Sequence, residues 1–149
     1  MNNILFIITG SIAASRCKEI ITLLQNKEVK ISCILTKEAK KYIKISDIKK
    51  LLKNRIFTDE DEKKNKMLHI NLSRDNDMIV VCPATANSIA KFANGYGDNL
   101  SSNTLLASNK KILFVPAMNS FMWHNKINQK NVKLLKDIGP ISFNNFTFF

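Results

Sequence analysis

Ile4-Leu5-Phe6-Ile7-Ile8-Thr9-Gly10-Ser11-Ile12-Ala13-Ala14 is the stretch whose reading decides the fold. Its first five residues are apolar and rich in isoleucine, the pattern of a short strand buried on both faces of a parallel sheet. Thr9-Gly10-Ser11 ends the run with small, turn-forming residues. Beyond it Ala13, Cys17, Ile20 and Leu24 recur at helical spacing, and Ser11 is placed to cap the first turn. The stretch is a strand–turn–helix unit.

The same unit recurs along the chain. Residues 29–35 read as a second strand, closed by Thr36, which can cap the next segment where Glu38 favours the positive end of a helix. Ile48, Leu51 and Leu52 fit a helix over about 46–54, and Asp59-Glu60-Asp61-Glu62-Lys63-Lys64 reads as a solvated loop. Residues 78–82 form a third strand stopped by Pro83, and a helix follows from about Thr85 to Asn94-Gly95. A helical stretch over 100–107, a strand over 112–115 stopped by Pro116 and a helix over 131–137 complete the pattern. Strands alternating with helices predict an α/β fold built on a doubly wound parallel sheet.

At 149 residues the chain has room for one domain, since roughly 100–200 residues per domain is usual. A hydrophobic fraction of 45% with 23% charged residues builds a core without disulfides or metals, and excludes a disordered chain. The net charge of +11 raises the question of nucleic acid or an anionic membrane. However, 20 of the 23 basic residues are Lys, and pairs such as Lys40-Lys41 and Lys110-Lys111 are scattered rather than gathered in one stripe. With 18 Asn and 19 Ile beside them, they read as codon bias on a solvated surface, so no nucleic-acid partner is expected. The start lacks a basic leader region, and no segment approaches the roughly 18 apolar residues of a membrane span. Cys17, Cys33 and Cys82 are widely spaced among apolar residues and read as buried thiols in a reducing compartment. The expectation is a cytoplasmic protein that binds no membrane.

In doubly wound sheets ligands bind at the carboxyl ends of the strands. That rule gathers Gly10-Ser11, Thr36, Pro83-Ala84-Thr85 and the segment from Pro116 to Asn119 at one edge. The turn after the first strand offers backbone N–H groups at a helix start, with small side chains that let a phosphate approach. It is neither G-x-G-x-x-G nor G-x-x-x-x-G-K-[ST], so a mononucleotide phosphate fits better than a dinucleotide or a nucleoside triphosphate. A tight turn without ligand would explain the same residues, and simple capping would explain Thr85-Ala86-Asn87. Asn119, set between apolar residues just past a strand, could fix a substrate carboxylate or amide. His69 is a candidate base or a structural histidine, and His124 has less claim. There is no Ser/His/Asp set and no Cys/His metal spacing, so one histidine and a few amides would need a cofactor for any difficult step.

Three stretches resemble one family: Gly10-Ser11-Ile12-Ala13-Ala14; His69-Ile70-x-Leu72 leading to Pro83-Ala84-Thr85-Ala86-Asn87-Ser88-Ile89-Ala90-Lys91; and Pro116-Ala117-Met118-Asn119-x-x-Met122-Trp123. In order and interval they are similar to the homo-oligomeric flavin-containing cysteine decarboxylases, over about residues 4–139. The last stretch is the specific one. The resemblance implies a Rossmann-like flavoprotein with flavodoxin-like layers and a bound FMN. It implies a phosphate site near Gly10, Ser11 and Ile12, further contacts from Thr36 and Lys37, and ring or ribityl contacts from Thr85, Ala86, Asn87 and Met118. His69 matches the family's catalytic histidine and Asn119 its substrate-binding asparagine, and no metal is implied. Family members form homotrimers or multiples of trimers, with the site between protomers.

The branch that this chain resembles most acts on phosphopantothenoylcysteine, a small-molecule substrate, and yields 4′-phosphopantetheine in coenzyme A biosynthesis. Loss of CO₂ from an acyl-cysteine leaves a carbanion with no electron sink. Oxidation of the carbon bearing sulfur makes a thioaldehyde that supplies one, with His69 as base for the thiol proton and Asn119 orienting the carboxylate or adjoining amide. The family continues past the equivalent of Gly139-Pro140 into a flap with an Ala-Cys-Gly motif, whereas here no cysteine follows Cys82 and residues 141–149 are rich in Phe. The expectation is therefore an FMN-binding decarboxylase domain over 1–140, a tail over 141–149 in place of the flap, no ligase domain, and a final reduction that is impaired. Two alternatives stand beside it: a peptidyl-cysteine oxidative decarboxylase of the same family, which stops at the enethiol, and a non-enzymatic FMN-fold regulatory subunit.

Overall fold

The computed structural model describes residues 2–53, 55–144 and 147–148. Alternation along β1 (Asn3–Ile8) sends Leu5 and Ile7 to one face and Phe6 and Ile8 to the other, and all four are fully buried. A strand apolar on both faces belongs in the middle of a covered sheet. The others are β2 (Lys30–Leu35), β3 (Ile56–Phe57), β4 (Met78–Ala84), β5 (Lys111–Met118), β6 (Ile141–Phe143) and the short β7 (Thr147–Phe148). Their order is β3-β2-β1-β4-β5-β6, with β7 paired to the end of β5, and every pairing is parallel. The doubly wound parallel sheet expected from the strand–helix alternation is the one that forms.

Two helical layers cover the sheet. On one face α1 (Cys17–Gln25) and α2 (Ile45–Leu52) pack Cys17, Ile21, Ile48 and Leu52 against Phe6, Ile8, Ile31 and Cys33. The opposite face carries α3 (Asp59–Lys64), α4 (Leu68–Arg74), α5 (Ala86–Ala93), α6 (Leu100–Leu106), α7 (Ser120–His124) and α8 (Lys126–Ile138). Leu72, Ile89, Leu105 and Leu135 from these helices meet Leu5, Ile7, Ile79 and Phe114. Phe114 stacks on Phe92 and Phe143, with ring centroids 5.9 and 5.2 Å apart. The expected boundary at residue 140 falls just before β6, and beyond Asn144 the expected tail lies outside the described residues except for β7.

Several local expectations differ from the structure for identifiable reasons. Ser11 caps a single 3₁₀ turn, Ile12–Arg16, before α1 begins. That tighter winding buries Ala14 and Ile21 instead of Ala13 and Ile20. β4 and β5 run through Pro83 and Pro116 instead of stopping there, because the ladder between them is irregular between Val81 and Ala84 and a proline needs no N–H partner at such a point. The acidic run is helical, not a loop. Thr58 N–H donates to Asp61 Oδ2 at 2.8 Å, and four acidic residues occupy the positive end of α3 while Lys63 and Lys64 hold the other. α8 starts at Lys126, not Asn131, because Asn125 Oδ1 accepts from Ile127 N–H at 2.9 Å. α5 ends as expected, with Gly95 at φ +72° beyond it.

Cys17, Cys33 and Cys82 are buried and unbridged. Cys82 beside it, together with burial, pushes the Cys17 thiol up, and burial alone does the same to Cys33. None of the three should react with an aromatic disulfide reagent in the native protein, and all three should react after unfolding. Phe114→Ala empties a stacked, fully buried ring site and should cost about 3–5 kcal/mol, a fall of about 10 °C in the thermal midpoint for a domain of this size.

Candidate functional site

The chain builds β1, β2 and β3 toward one edge of the sheet and then returns to lay β4, β5 and β6 on the other side of β1. Between β1 and β4 the connections leave in opposite directions and open a crevice at the carboxyl ends of the strands. A cavity of about 160 Å³ lies there. Thr9 and Gly10 wall it from β1, Thr36 from β2, and Thr85, Asn87 and Ser88 from the start of α5. Two contacts hold the strand exits together beneath it. The Thr9 hydroxyl donates to the Pro83 carbonyl, and the Cys17 thiol donates to the Cys82 carbonyl at 3.3 Å.

Gly10 is where the β1 and β2 connections cross. A Cβ on this residue would lie 2.4 Å from Glu38 Cβ and 3.1 Å from the Glu38 carbonyl carbon. The missing side chain thus lets two walls of the cavity meet. Glu38 is the acidic residue on this wall, and the Lys41 ammonium, which donates to it, holds its carboxyl below the usual carboxylate range.

Two helix starts converge on the cavity. Thr85 Oγ1 accepts from Ser88 N–H at 3.1 Å, and Asn99 Oδ1 accepts from Ser102 N–H at 2.8 Å. The cap leaves the other N–H groups of the first turn of α5 without helical partners, at its positive end, whereas at the start of α6 the Leu100 N–H donates to Asp59 Oδ1 at 2.9 Å. Lys91, paired with Asp98 at 2.7 Å, adds a cation to the wall. Hydroxyls, amides and helix starts around one small space are suited to an anion such as phosphate.

Gly10, Thr36, Thr85 and Asn87 line the cavity. Ser11 Oγ accepts from Ala13 N–H at 3.2 Å, and Ile12 beside it is 71% exposed. Lys37 lines a neighbouring groove with Asp59, Glu62 and Asn99, the last shared with the cavity. Ala86 faces a third depression with Met122 and Ile127. Met118 is buried, with its sulfur 3.6 Å from Asn128 Nδ2. Asn119 is exposed, and its Oδ1 accepts from Met122 N–H at 2.9 Å, which leaves the Nδ2 hydrogens for another acceptor.

His69 does not line the cavity. It sits on α4, with Nδ1 buried and 2.7 Å from Glu62 Oε1 on α3, a close contact without an aligned hydrogen bond. His124 Nδ1 contacts its own helix at the Ser120 carbonyl, 2.8 Å away. Asn99, Ser101 and Ser102 were not singled out from sequence. The Asn-x-x-Ser cap at the head of α6 was visible there, but not that this helix start reaches the crevice.

The profile of the Flavoprotein family matches residues 1–146. The chain is 31% identical over 140 residues to the probable phosphopantothenoylcysteine decarboxylase of Streptococcus mutans, covering 91% of this chain and 78% of that protein. It is 30% identical over 139 residues to the coenzyme A biosynthesis bifunctional protein CoaBC of Bacillus subtilis, which takes in 92% of this chain but only 34% of that protein. The chain therefore spans about a third of the bifunctional relative. Among solved structures, the FMN-dependent cysteine decarboxylase SpaF superposes with a TM-score of 0.88 at 29% identity, covering 98% of this chain and 86% of that one.

Gly10→Ala should lower stability by about 1–3 kcal/mol in chemical unfolding, because Glu38 backbone must yield to the new methyl. Gly139→Ala, which meets nothing within 4 Å, should change it by less than about 0.5 kcal/mol.

Proposed function

The chain belongs to the Flavoprotein family, and from that we propose that it binds FMN and decarboxylates phosphopantothenoylcysteine to 4′-phosphopantetheine, a step of coenzyme A biosynthesis. The observation that carries the reading is the convergence of two helix starts, several hydroxyls and Lys91 on one crevice between β1 and β4. These residues fit a phosphate. At about 160 Å³ the cavity is smaller than the roughly 300–1,000 Å³ of small-molecule sites, so it suits the phosphate end of the cofactor, and the remainder needs surface outside it.

In this reading Gly10 and Thr36 hold the phosphate from the cavity wall, Ser11 and Ile12 from the turn beside it and Lys37 from the neighbouring groove, and Thr85, Ala86, Asn87 and Met118 meet the ribityl chain and ring. Bound FMN supplies a two-electron acceptor and donor for the carbon bearing sulfur. His69 would take the thiol proton while the carbon bearing sulfur is oxidised, and the C=S bond so formed receives the electrons of the breaking carbon–carbon bond as CO₂ leaves. Asn119, its oxygen tied to Met122 N–H, turns its Nδ2 hydrogens to the substrate carboxylate. Residues 1–140 form the decarboxylase domain of this proposal, with 141–149 where relatives carry a flap.

A homotrimer, or a multiple of it, completes the site. Ile12, Phe121 and Ile127, 71%, 89% and 74% exposed, are the large apolar side chains this reading puts in subunit contacts. A cytoplasmic location suits three free, buried thiols, and no helix among the described residues is long and apolar enough to cross a membrane. The likeness to SpaF favours a second reading, oxidative decarboxylation of a peptidyl cysteine.

Purified protein should carry flavin absorbance and elute at three times the 16.9 kDa of one chain or a multiple of that. With phosphopantothenoylcysteine it should release CO₂, and His69→Asn should keep the flavin while losing roughly 100-fold or more in rate. A product lighter by CO₂ alone supports complete turnover, and one lighter by two further hydrogens shows arrest at the enethiol. Decarboxylation of a peptide ending in cysteine, but not of phosphopantothenoylcysteine, would move the assignment to the second reading. Bound flavin with neither substrate turned over would point to a regulatory subunit, and a colourless protein that takes up no FMN would sink the proposal.

A further inference from the structure

Glu62 and His69 meet between two short helices, and the cavity chemistry above makes no use of the meeting. Glu62 Oε1 lies 2.7 Å from His69 Nδ1, with the glutamate side chain 17% exposed and the histidine 25%. Asn103 of α6 steadies the same carboxylate, its Nδ2 lying 3.5 and 3.4 Å from the two oxygens. Three elements that are separate in sequence therefore converge on one carboxylate.

Nδ1 is shielded from water, so its state is decided by what lies against it. An Nδ1 without a hydrogen would set its negative lone-pair density within 2.7 Å of a carboxylate oxygen, a repulsive contact even though the two are not aligned. A hydrogen on Nδ1 turns the contact into a charge-assisted attraction. A neutral imidazole has one N–H, so the lone pair then belongs to Nε2. The exposed quarter of the side chain lies on atoms other than Nδ1.

We propose that Glu62 is a positioning residue: it holds His69 in the Nδ1–H tautomer, with Asn103 steadying the carboxylate, so that Nε2 presents the lone pair that takes the substrate's thiol proton. The thiol proton rests on the decarboxylase reading, whereas the tautomer does not. When Nε2 takes the proton, the ring becomes positive with a carboxylate already at contact distance, and no group has to move to meet that charge. The arrangement also separates the two duties of the ring, one nitrogen for orientation and one for chemistry.

Nitrogen-15 NMR of the FMN-loaded protein, above the ordinary titration range of histidine, reads the tautomer directly. The chain has two histidines, so His124→Gln assigns the signals. The wild type should show His69 as the Nδ1–H form. Glu62→Ala should move it to the Nε2–H form that imidazole side chains prefer in water, and lower kcat for CO₂ release about tenfold or more with flavin content unchanged. Glu62→Gln, which keeps an acceptor oxygen, should restore part of both. An Nε2–H tautomer in the wild type overturns the inference whether or not any variant folds, as does Glu62→Ala with the kcat of the wild type. If CO₂ is released while the tautomer is Nε2–H, only this inference falls. If the tautomer is Nδ1–H and no acyl-cysteine loses CO₂, the decarboxylase reading falls and takes the base role of His69 with it.

Discussion

The burial of β1 on both faces is the constraint on which the rest of the molecule depends. Leu5 and Ile7 cannot be covered unless α4, α5, α6 and α8 pack on one side, and Phe6 and Ile8 cannot be covered unless α1 and α2 pack on the other. A strand with those needs takes the central position, and the chain must then extend the sheet first to one side of it and afterwards to the other. The crevice follows from that change of direction. The same apolar burial that stabilises the fold therefore decides where a ligand can enter.

What the crevice can hold is set by backbone more than by charge. The chain carries +11, yet the cavity wall contributes one lysine, already paired, and one glutamate, also paired. Its character comes from helix starts whose caps are local: Thr85 to Ser88, Asn99 to Ser102. Ion pairs as exposed as Lys41–Glu38 contribute little to stability, and the scattered lysines serve solubility. Gly10 matters in the same structural sense, because it lets the connections after β1 and β2 touch and close the wall.

Legibility varied with the physical range of each feature. The turn at Gly10-Ser11, the cap at Thr85 and the ending at Gly95 depend on a few neighbouring residues, so they could be read directly. The prolines misled, because whether Pro83 or Pro116 stops a strand depends on what the neighbouring strand offers at that height, and here the ladder is irregular. The run from Asp59 to Lys64 looked like a solvated loop because it lacks an apolar stripe, yet a capping box and its arrangement of charge wind it into a helix. α4 and α7 are too short to show a period, and so the helix that carries His69 was not evident.

By itself the sequence determined the alternating α/β layers, a first strand buried on both faces, the strand ends that meet at one edge and the motif that ties the chain to its family. These are matters of local pattern: apolar alternation, helix caps, small residues at turns. Only the tertiary structure decided that α6 supplies part of the cavity wall, that Gly10 faces Glu38, and that Glu62 lies against His69. Each of these joins residues from different elements, and such meetings arise from how the elements pack on the sheet, which no spacing along the chain encodes.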